Sequence, residues 1–364
     1  LAEDVIIPEQ LISSSSLAEK GQETKLSEKS RQNFTNFIKE KTGLESGKFT
    51  CTNADNGWHI NALEKETNGY ICTTKINSIR RVNKFFEAAN EHLQNDQYLV
   101  INLETKDQRK ERILKKFPSL ISYPYYTLDF ILKRVFPKTK PTRKIYFAIT
   151  KGRNRVISLT EALGRLVSCG FEIVDYEVIG NLTYIISKKI RKPYFDMQPT
   201  YGAIVKLKRV GYEGRVFNVY KVRTMYPYSE YLQDYIFKMN ALEEGGKFKN
   251  DFRTTSYGDF FRRFWIDELP MLFNWLKREM KLVGVRPLSE QYFLLYPDEL
   301  QELRIKTKPG LVPPYYADMP KGLDEILESE RKYLESYRKN PIKTDIRYFF
   351  KAFKNITLLG ARSR

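Results

Sequence analysis

Between residues 46 and 190 the chain alternates short apolar runs with longer segments of helical periodicity, and few architectures accommodate that pattern. Gly69 to Thr73 (GYICT), Tyr98 to Leu103 (YLVINL) and Ile145 to Thr150 (IYFAIT) read as short strands. Ile79 to Leu93 places Val82, Phe85, Phe86 and Ala89 on one side of a helix. Thr160 to Ser168 reads as a second helix, with Thr160 as N-cap and Gly170 at its stop. Phe171 to Val178 and Leu182 to Lys188 follow as strands joined through Ile179-Gly180-Asn181. Strand–helix alternation that closes in a hairpin predicts an α/β domain.

Around this core the chain divides further. Residues 1–45 are polar, with Ser13 to Ser16 in a row, and read as an arm holding one helix near Ser30 to Glu40. Ile190 to Pro199 (IRKPYFDMQP), with two prolines and a basic cluster, marks a boundary, so domains are expected at 46–190 and 191–364. In the second, Ala203 to Lys208 and Phe217 to Lys221 form a hairpin around Gly211 to Gly214. Tyr228 to Leu242 reads as helix and Glu243 to Asn250 as loop. Leu323 to Lys339 is a charged helix. After it, Ile342 to Thr357 sets Ile342, Ile346, Phe349, Phe350, Phe353 and Ile356 on one face. That face suits either an anionic bilayer or packing on the domain. Phe117 to Phe136 poses the same choice. It is rich in aliphatic and aromatic residues, flanked by Lys115, Lys116, Lys133, Arg134 and Lys138, and interrupted by Pro118 and Pro124. It suits either a membrane interface or a cover for the domain core.

Charge and rare residues narrow the chemistry. A formal charge of +18 and a pI near 9.5 call for an anionic partner. Three cysteines without a CxxC pair argue against a disulfide framework or structural zinc, and fit a reducing compartment. Two histidines leave little room for histidine-based catalysis, so a metal would rest on carboxylates and phosphate oxygens, which favours Mg²⁺ or Mn²⁺. No signal peptide is expected at the start, and no run of 18 apolar residues suggests a spanning helix. No motif that reads DNA or RNA occurs, so nucleic acid is not an expected partner.

One acidic pair stands out. Asp267 and Glu268 precede Leu269-Pro270, with Arg253, Arg262 and Arg263 before them and Arg286 after. Pro270 predicts an early helical position that sets both carboxylates at a helix N-terminus. A carboxylate is a weak nucleophile that becomes useful once arginine and a metal neutralise phosphate charge. Arg286, in the turn Gly284 to Pro287, offers a bidentate fork to a phosphate oxygen. Lys221, Arg223, Arg253 and Arg262 are further phosphate-binding candidates. The same pair with the same arginines also fits plain ion pairing.

Three pieces in order carry a resemblance: RVGYEGRVFNVYKVRTM (Arg209 to Met225), DFRTTSYGDFFRRFWIDELPMLFNWLKREMKLVGVRPL (Asp251 to Leu288) and KTKPGL (Lys306 to Leu311). With them, residues 203–319 strongly resemble the bacterial sugar transferases, phosphoglycosyl transferases that move a sugar 1-phosphate from a nucleotide sugar to polyprenyl phosphate. The resemblance implies Asp267 as nucleophile with release of uridine monophosphate, Glu268 assisting, and Mg²⁺ held at Asp267 and Glu268. It also implies a UDP-sugar donor, polyprenyl phosphate or another lipid acceptor, and an anionic membrane surface as partners. The setting would be the cytoplasmic face of the inner membrane, in surface polysaccharide or lipopolysaccharide synthesis. In the first half, ALGRLVSCGFEIVDYEVIGNLTYIISKK resembles the end of a class I methyltransferase-like Rossmann domain, but the Gly-rich turn is absent.

The expected fold is therefore α/β: a degenerate, non-catalytic Rossmann-like domain, then a compact phosphoglycosyl transferase domain with amphipathic C-terminal helices. The chain departs from the family where a membrane-embedded helix usually precedes the hairpin, in GVRP, and in PGLVPPYYADMP, whose Pro313 to Tyr316 reshape a sugar or acceptor wall. The alternative is a non-catalytic scaffold in glycan assembly that keeps the transferase fold.

Overall fold

The computed structural model describes residues 28–52, 67–195, 202–239, 242–243, 247–248 and 252–358. The polar arm up to residue 27 and part of the loop expected over Glu243 to Asn250 lie outside them. The fold is α/β, and the chain falls into two units, Leu1–Pro199 with Pro227–Tyr235, and Thr200–Tyr226 with Ile236–Arg364.

The first unit is built on five strands, β1 (Thr50–Thr52), β2 (Gly69–Cys72), β3 (Tyr98–Leu103), β4 (Phe171–Ile179) and β5 (Leu182–Lys189). Their order is β1-β2-β3-β5-β4, parallel from β1 to β3, with β5 antiparallel to both neighbours. The apolar run in β3 is buried from Leu99 to Leu103, as a sheet covered on both faces requires. Helix α1 (Glu28–Thr42) adds Phe37 and Ile38 to a cluster with Ile71, Val100 and Ile186. Helix α2 (Val82–His92) buries Val82, Phe85, Phe86 and Ala89, the face its periodicity foretells.

Between β3 and β4 run helices α3 (Lys106–Lys116), α4 (Ser119–Phe130), α5 (Lys140–Thr150) and α6 (Leu159–Ser168). Two expectations change here. IYFAIT is not a strand but the end of α5, which starts with Pro141 in its first turn and buries only Tyr146 fully. A six-residue apolar run does not by itself separate strand from helix. Helix α6 begins two residues earlier than read, because Ser158, not Thr160, accepts the Glu161 amide as N-cap. Glu161 is almost fully buried and gathers Arg134, Lys138 and Arg165 around its carboxylate. Phe117 to Phe136 becomes α4 and a π-helical turn, Ile131–Val135, and leaves most of its apolar side chains in solvent.

Pro227–Tyr235 belongs to this unit because Tyr228 packs on α6. A Cβ at Gly164 would stand 2.3 Å from the Tyr228 carbonyl oxygen, so only glycine fits there. The Tyr228 hydroxyl accepts from Asn83, 2.9 Å away. The helix expected over Tyr228 to Leu242 is a 3₁₀ turn, Ser229–Leu232, then Gln233–Met239, since Tyr228 itself is left-handed (φ 64°).

In the second unit β6 (Ile204–Val210) and β7 (Val216–Val222) form the expected hairpin, paired from Ile204–Val222 to Val210–Val216. After it come α7 (Ser256–Arg263), a 3₁₀ turn Ile266–Glu268, and α8 (Met271–Leu276). Strands β8 (Lys281–Val283) and β9 (Gly310–Val312) pair in parallel. Helices α9 (Glu290–Phe293) and α10 (Asp298–Ile305) lie between them in sequence, and α11 (Tyr315–Asp318), α12 (Leu323–Lys339) and α13 (Pro341–Leu358) follow. The core gathers Val283, Val285, Leu300, Tyr316, Tyr333 and Tyr348.

Helix α13 leaves most of its apolar face uncovered, one of the two outcomes its spacing allowed. It buries Thr344, Tyr348, Ala352 and Asn355, while Ile342, Ile346, Phe350 and Phe353 are exposed. The buried face is won by specific contacts: Tyr348 meets Tyr333 edge-on at 5.0 Å, and Asn355 donates to the carbonyls of Tyr316 and Ala317. No described helix is long and apolar enough to cross a membrane.

Candidate active site

The acidic pair sits in the 3₁₀ turn, one step before α8. Trp265 enters the turn with left-handed backbone (φ 54°), fixed by its indole N–H donating to the Tyr316 hydroxyl at 2.9 Å. Pro270 caps α8, a helix of only six residues, so the pair precedes the helix instead of occupying its first turn. In a 3₁₀ turn successive side chains diverge by a third of a turn. Asp267 is buried (6% exposed), whereas Glu268 leans toward β7 and accepts from Lys221 Nζ at 2.7 Å.

Helix α8 is clamped to the hairpin by Asn274, which is fully buried. Its side-chain amide donates to the Asn218 carbonyl (2.7 Å) and to Glu279 (2.7 Å), and its oxygen accepts from the Tyr220 amide (3.1 Å). This lock holds Lys221 and the acidic turn in register.

The Oδ1 atom of Asp267 has no hydrogen-bond partner among the described residues. An unpaired buried acceptor is costly, and in a native site it points to chemistry or to a missing ligand. Burial raises the Asp267 pKa above the usual carboxylate range. Lys221 and Arg262 oppose that shift, and Glu268 adds to it. Arg262 is steadied by Thr224, whose hydroxyl accepts from its Nε at 3.0 Å.

Arg286 is exposed as a residue although neighbours crowd around its guanidinium. Burial works to lower its pKa, but Tyr315, Glu268, Tyr316 and Tyr292 outweigh that and raise it. Arg304 supports it from behind by donating to its backbone carbonyl while pairing with buried Glu330. Arg209 lies close enough that burial and Arg286 together lower its pKa.

Of the residues singled out by sequence, Lys221, Arg262, Asp267, Glu268 and Arg286 therefore form one electrostatic neighbourhood. Arg223 donates from Nε to the Gly202 carbonyl at the open end of the hairpin. Arg253 is buried, and its carbonyl accepts from the Tyr226 amide. Sequence reading missed Arg209, Trp265 and Asn274. Only Arg209 carried a signal, as a cation at the head of the first motif.

Among the described residues no group of three or more acidic, histidine or cysteine side chains could hold a metal ion. The unpaired Asp267 oxygen and the Glu268 oxygen that Lys221 leaves open are the carboxylate donors at the turn. A divalent ion here would need further oxygens from a phosphate ligand.

The glycines of the two flanking motifs have a geometric basis. A Cβ on Gly310 would come within 2.1 Å of the Gly284 amide nitrogen. The close approach of β8 and β9 is what lets the Gly310 amide donate to the Val285 carbonyl (3.0 Å), next to Arg286. Around the acidic turn Phe260, Phe264, Leu269, Phe273, Trp275 and Leu276 are exposed.

Residues 194–358 match the bacterial sugar transferase family. An uncharacterized sugar transferase of Haemophilus influenzae is 35% identical over 190 residues, covering 50% of this chain and 39% of the relative. The galactosyl transferase CpsE of Streptococcus agalactiae is 30% identical over 215 residues, 58% of this chain and 43% of the relative. The undecaprenyl-phosphate galactose phosphotransferase of Salmonella typhimurium is 34% identical over 159 residues, 42% of this chain and 33% of the relative. The chain thus spans less than half the length of each of these three relatives.

Proposed function

From the premise that residues 194–358 are a bacterial sugar transferase domain, we propose that the chain transfers a sugar 1-phosphate from a UDP-sugar to polyprenyl phosphate, by way of an aspartyl-phosphosugar. The observation that carries the reading is the buried Asp267 oxygen left unpaired beside Lys221 and Arg262, with Arg286 acting on the neighbouring Glu268. A carboxylate so placed is desolvated and aimed, while the cations offset phosphate charge that would otherwise repel it.

In the first step Asp267 attacks the phosphorus that bears the sugar. A bond forms from its oxygen to phosphorus, and the phosphoanhydride bond breaks with its electron pair leaving on uridine monophosphate. In the second, a polyprenyl phosphate oxygen attacks the same phosphorus, which frees the Asp267 carboxylate and yields the lipid diphosphate sugar. Arg286 and Arg262 hold phosphate oxygens, and Lys221 keeps Glu268 turned to the site. Mg²⁺, held by Asp267 and Glu268 together with the diphosphate, would draw negative charge from the leaving group.

The exposed apolar rim from Phe260 to Leu276 and the outward face of α13 suit a polyprenyl chain and a bilayer surface. We place the reaction at the cytoplasmic side of the inner membrane, in surface polysaccharide assembly. The test incubates the full chain with UDP-sugars and Mg²⁺, then reads the intact mass. A phosphosugar adduct that vanishes in Asp267→Asn is expected. No adduct and no uridine monophosphate with any UDP-sugar, with or without polyprenyl phosphate, would sink the proposal.

A further inference from the structure

The first unit carries an apolar ridge that its own fold does not cover. Leu120 is 86% exposed, and Ile121, Tyr123, Leu128, Leu132 and Val135 are also exposed along α4 and the π turn. Helix α5 adds Ile149, 76% exposed. So much contiguous apolar sequence in solvent marks an interaction site.

Charge beside the ridge is one-sided. From Lys115 to Lys144 the only acidic residue is Asp129, and Arg109 holds both its oxygens at 2.7 Å. A cleft of about 660 Å³ opens on α5, lined by Arg80, Arg143, Lys144, Lys151 and Arg153 around the Phe147 ring. No carboxylate lines it, and none of these five cations forms an ion pair among the described residues. Converging unpaired cations repel one another until an anion joins them.

The two features share α5: Arg143, Lys144 and Phe147 line the cleft, and Ile145 and Ile149 stand exposed on the same helix. A free nucleotide would account for the cleft but leave the ridge unexplained. A neutral apolar partner would account for the ridge and not the charge. An anionic phospholipid surface satisfies both at once.

We propose that the first unit is itself a membrane-docking unit. The α4 ridge sinks to the acyl boundary, and the cleft on α5 takes lipid phosphates. The helix is too short to span, so it lies in the interface plane, where Tyr123 and Tyr125 sit well at headgroup depth. This surface lies outside residues 194–358 and does not depend on the transferase reading.

The test floats the full chain on phosphatidylcholine vesicles with and without phosphatidylglycerol, in a background of Ile346→Asp and Phe350→Asp that removes the apolar face of α13. That background should still bind anionic vesicles. Leu128→Asp with Leu132→Asp should abolish binding, and Arg143→Glu with Lys144→Glu should weaken it about fivefold per cation removed. In the unsubstituted chain, vesicles should slow amide exchange over Ser119–Val135, a reading that needs no variant to fold. The proposal is overturned by a background that no longer floats, by Leu128 and Leu132 variants that float unchanged, or by unaltered exchange. It is equally overturned if those variants only dissociate a dimer formed without lipid.

Discussion

Lys221 Nζ lies 2.7 Å from Glu268 Oε1, so this cation is bound by one carboxylate of the acidic pair while Asp267 Oδ1 stays unpaired. Lys221 still lowers the Asp267 pKa through space, against the burial that raises it. Lys221→Met is therefore expected to push that pKa further up. The acid limb of kcat/KM for uridine monophosphate release should move to higher pH, and the plateau should fall about 100-fold. An unmoved limb would show that Lys221 does not tune Asp267.

Asp267→Asn separates catalysis from stability. Loss of the nucleophile should lower turnover about 10⁴-fold or more. The stability effect has the opposite sign. With the folded pKa raised, the folded state binds more protons than the unfolded one between the two pKa values. The favourable contribution is thus present below the unfolded pKa of ~3.9 and lost as pH rises through the folded value. The asparagine variant should melt above the wild type at pH 7, and the gap should close in acid. Thermal scans at several pH values check this.

Gly310→Ala should harm the site from a distance. The added methyl would collide with the Gly284 backbone and part β8 from β9. We expect a cost of about 1–3 kcal/mol in denaturant titration. Because the turn after β8 carries Arg286, next to the Gly310–Val285 hydrogen bond, KM for the nucleotide sugar should rise as well. Unchanged stability would mean that the strands part without cost.

Glu161 tests the first unit. Burial favours its neutral form, but Lys138, Arg134 and Arg165 outweigh that and hold its pKa well below the usual range. Its contribution is therefore fully present above the unfolded pKa of ~4.3 and fades as pH falls below it. Glu161→Gln should cost about 3–5 kcal/mol at neutral pH by stranding buried cations. The deficit should narrow in acid, and urea titrations at two pH values would detect it.

Much of the fold was legible because local pattern and tertiary burial agree there. YLVINL is buried along its length, α2 buries the face its spacing foretells, and the β6–β7 hairpin turns at Gly211 to Gly214. IYFAIT was not legible, since a short apolar run has no period of its own and the choice fell to Pro141 and to packing through Tyr146. In the site, Asp267, Glu268 and the cations could be named from sequence because their kinds and order carry the chemistry.

Sequence by itself determined which groups could act: a carboxylate pair, cations in flanking motifs, and too little histidine for rival mechanisms. Tertiary structure alone decided which carboxylate is free. The left-handed Trp265, held by Tyr316, and the Asn274 clamp set Asp267 inward and Glu268 onto Lys221, contacts between residues up to 56 positions apart. It also decided which side of α13 meets solvent, leaving Ile342, Ile346, Phe350 and Phe353 of the apolar face uncovered where periodicity left the choice open. Hydrophobic spacing defines a face, but only the partners available to that face determine whether it is covered.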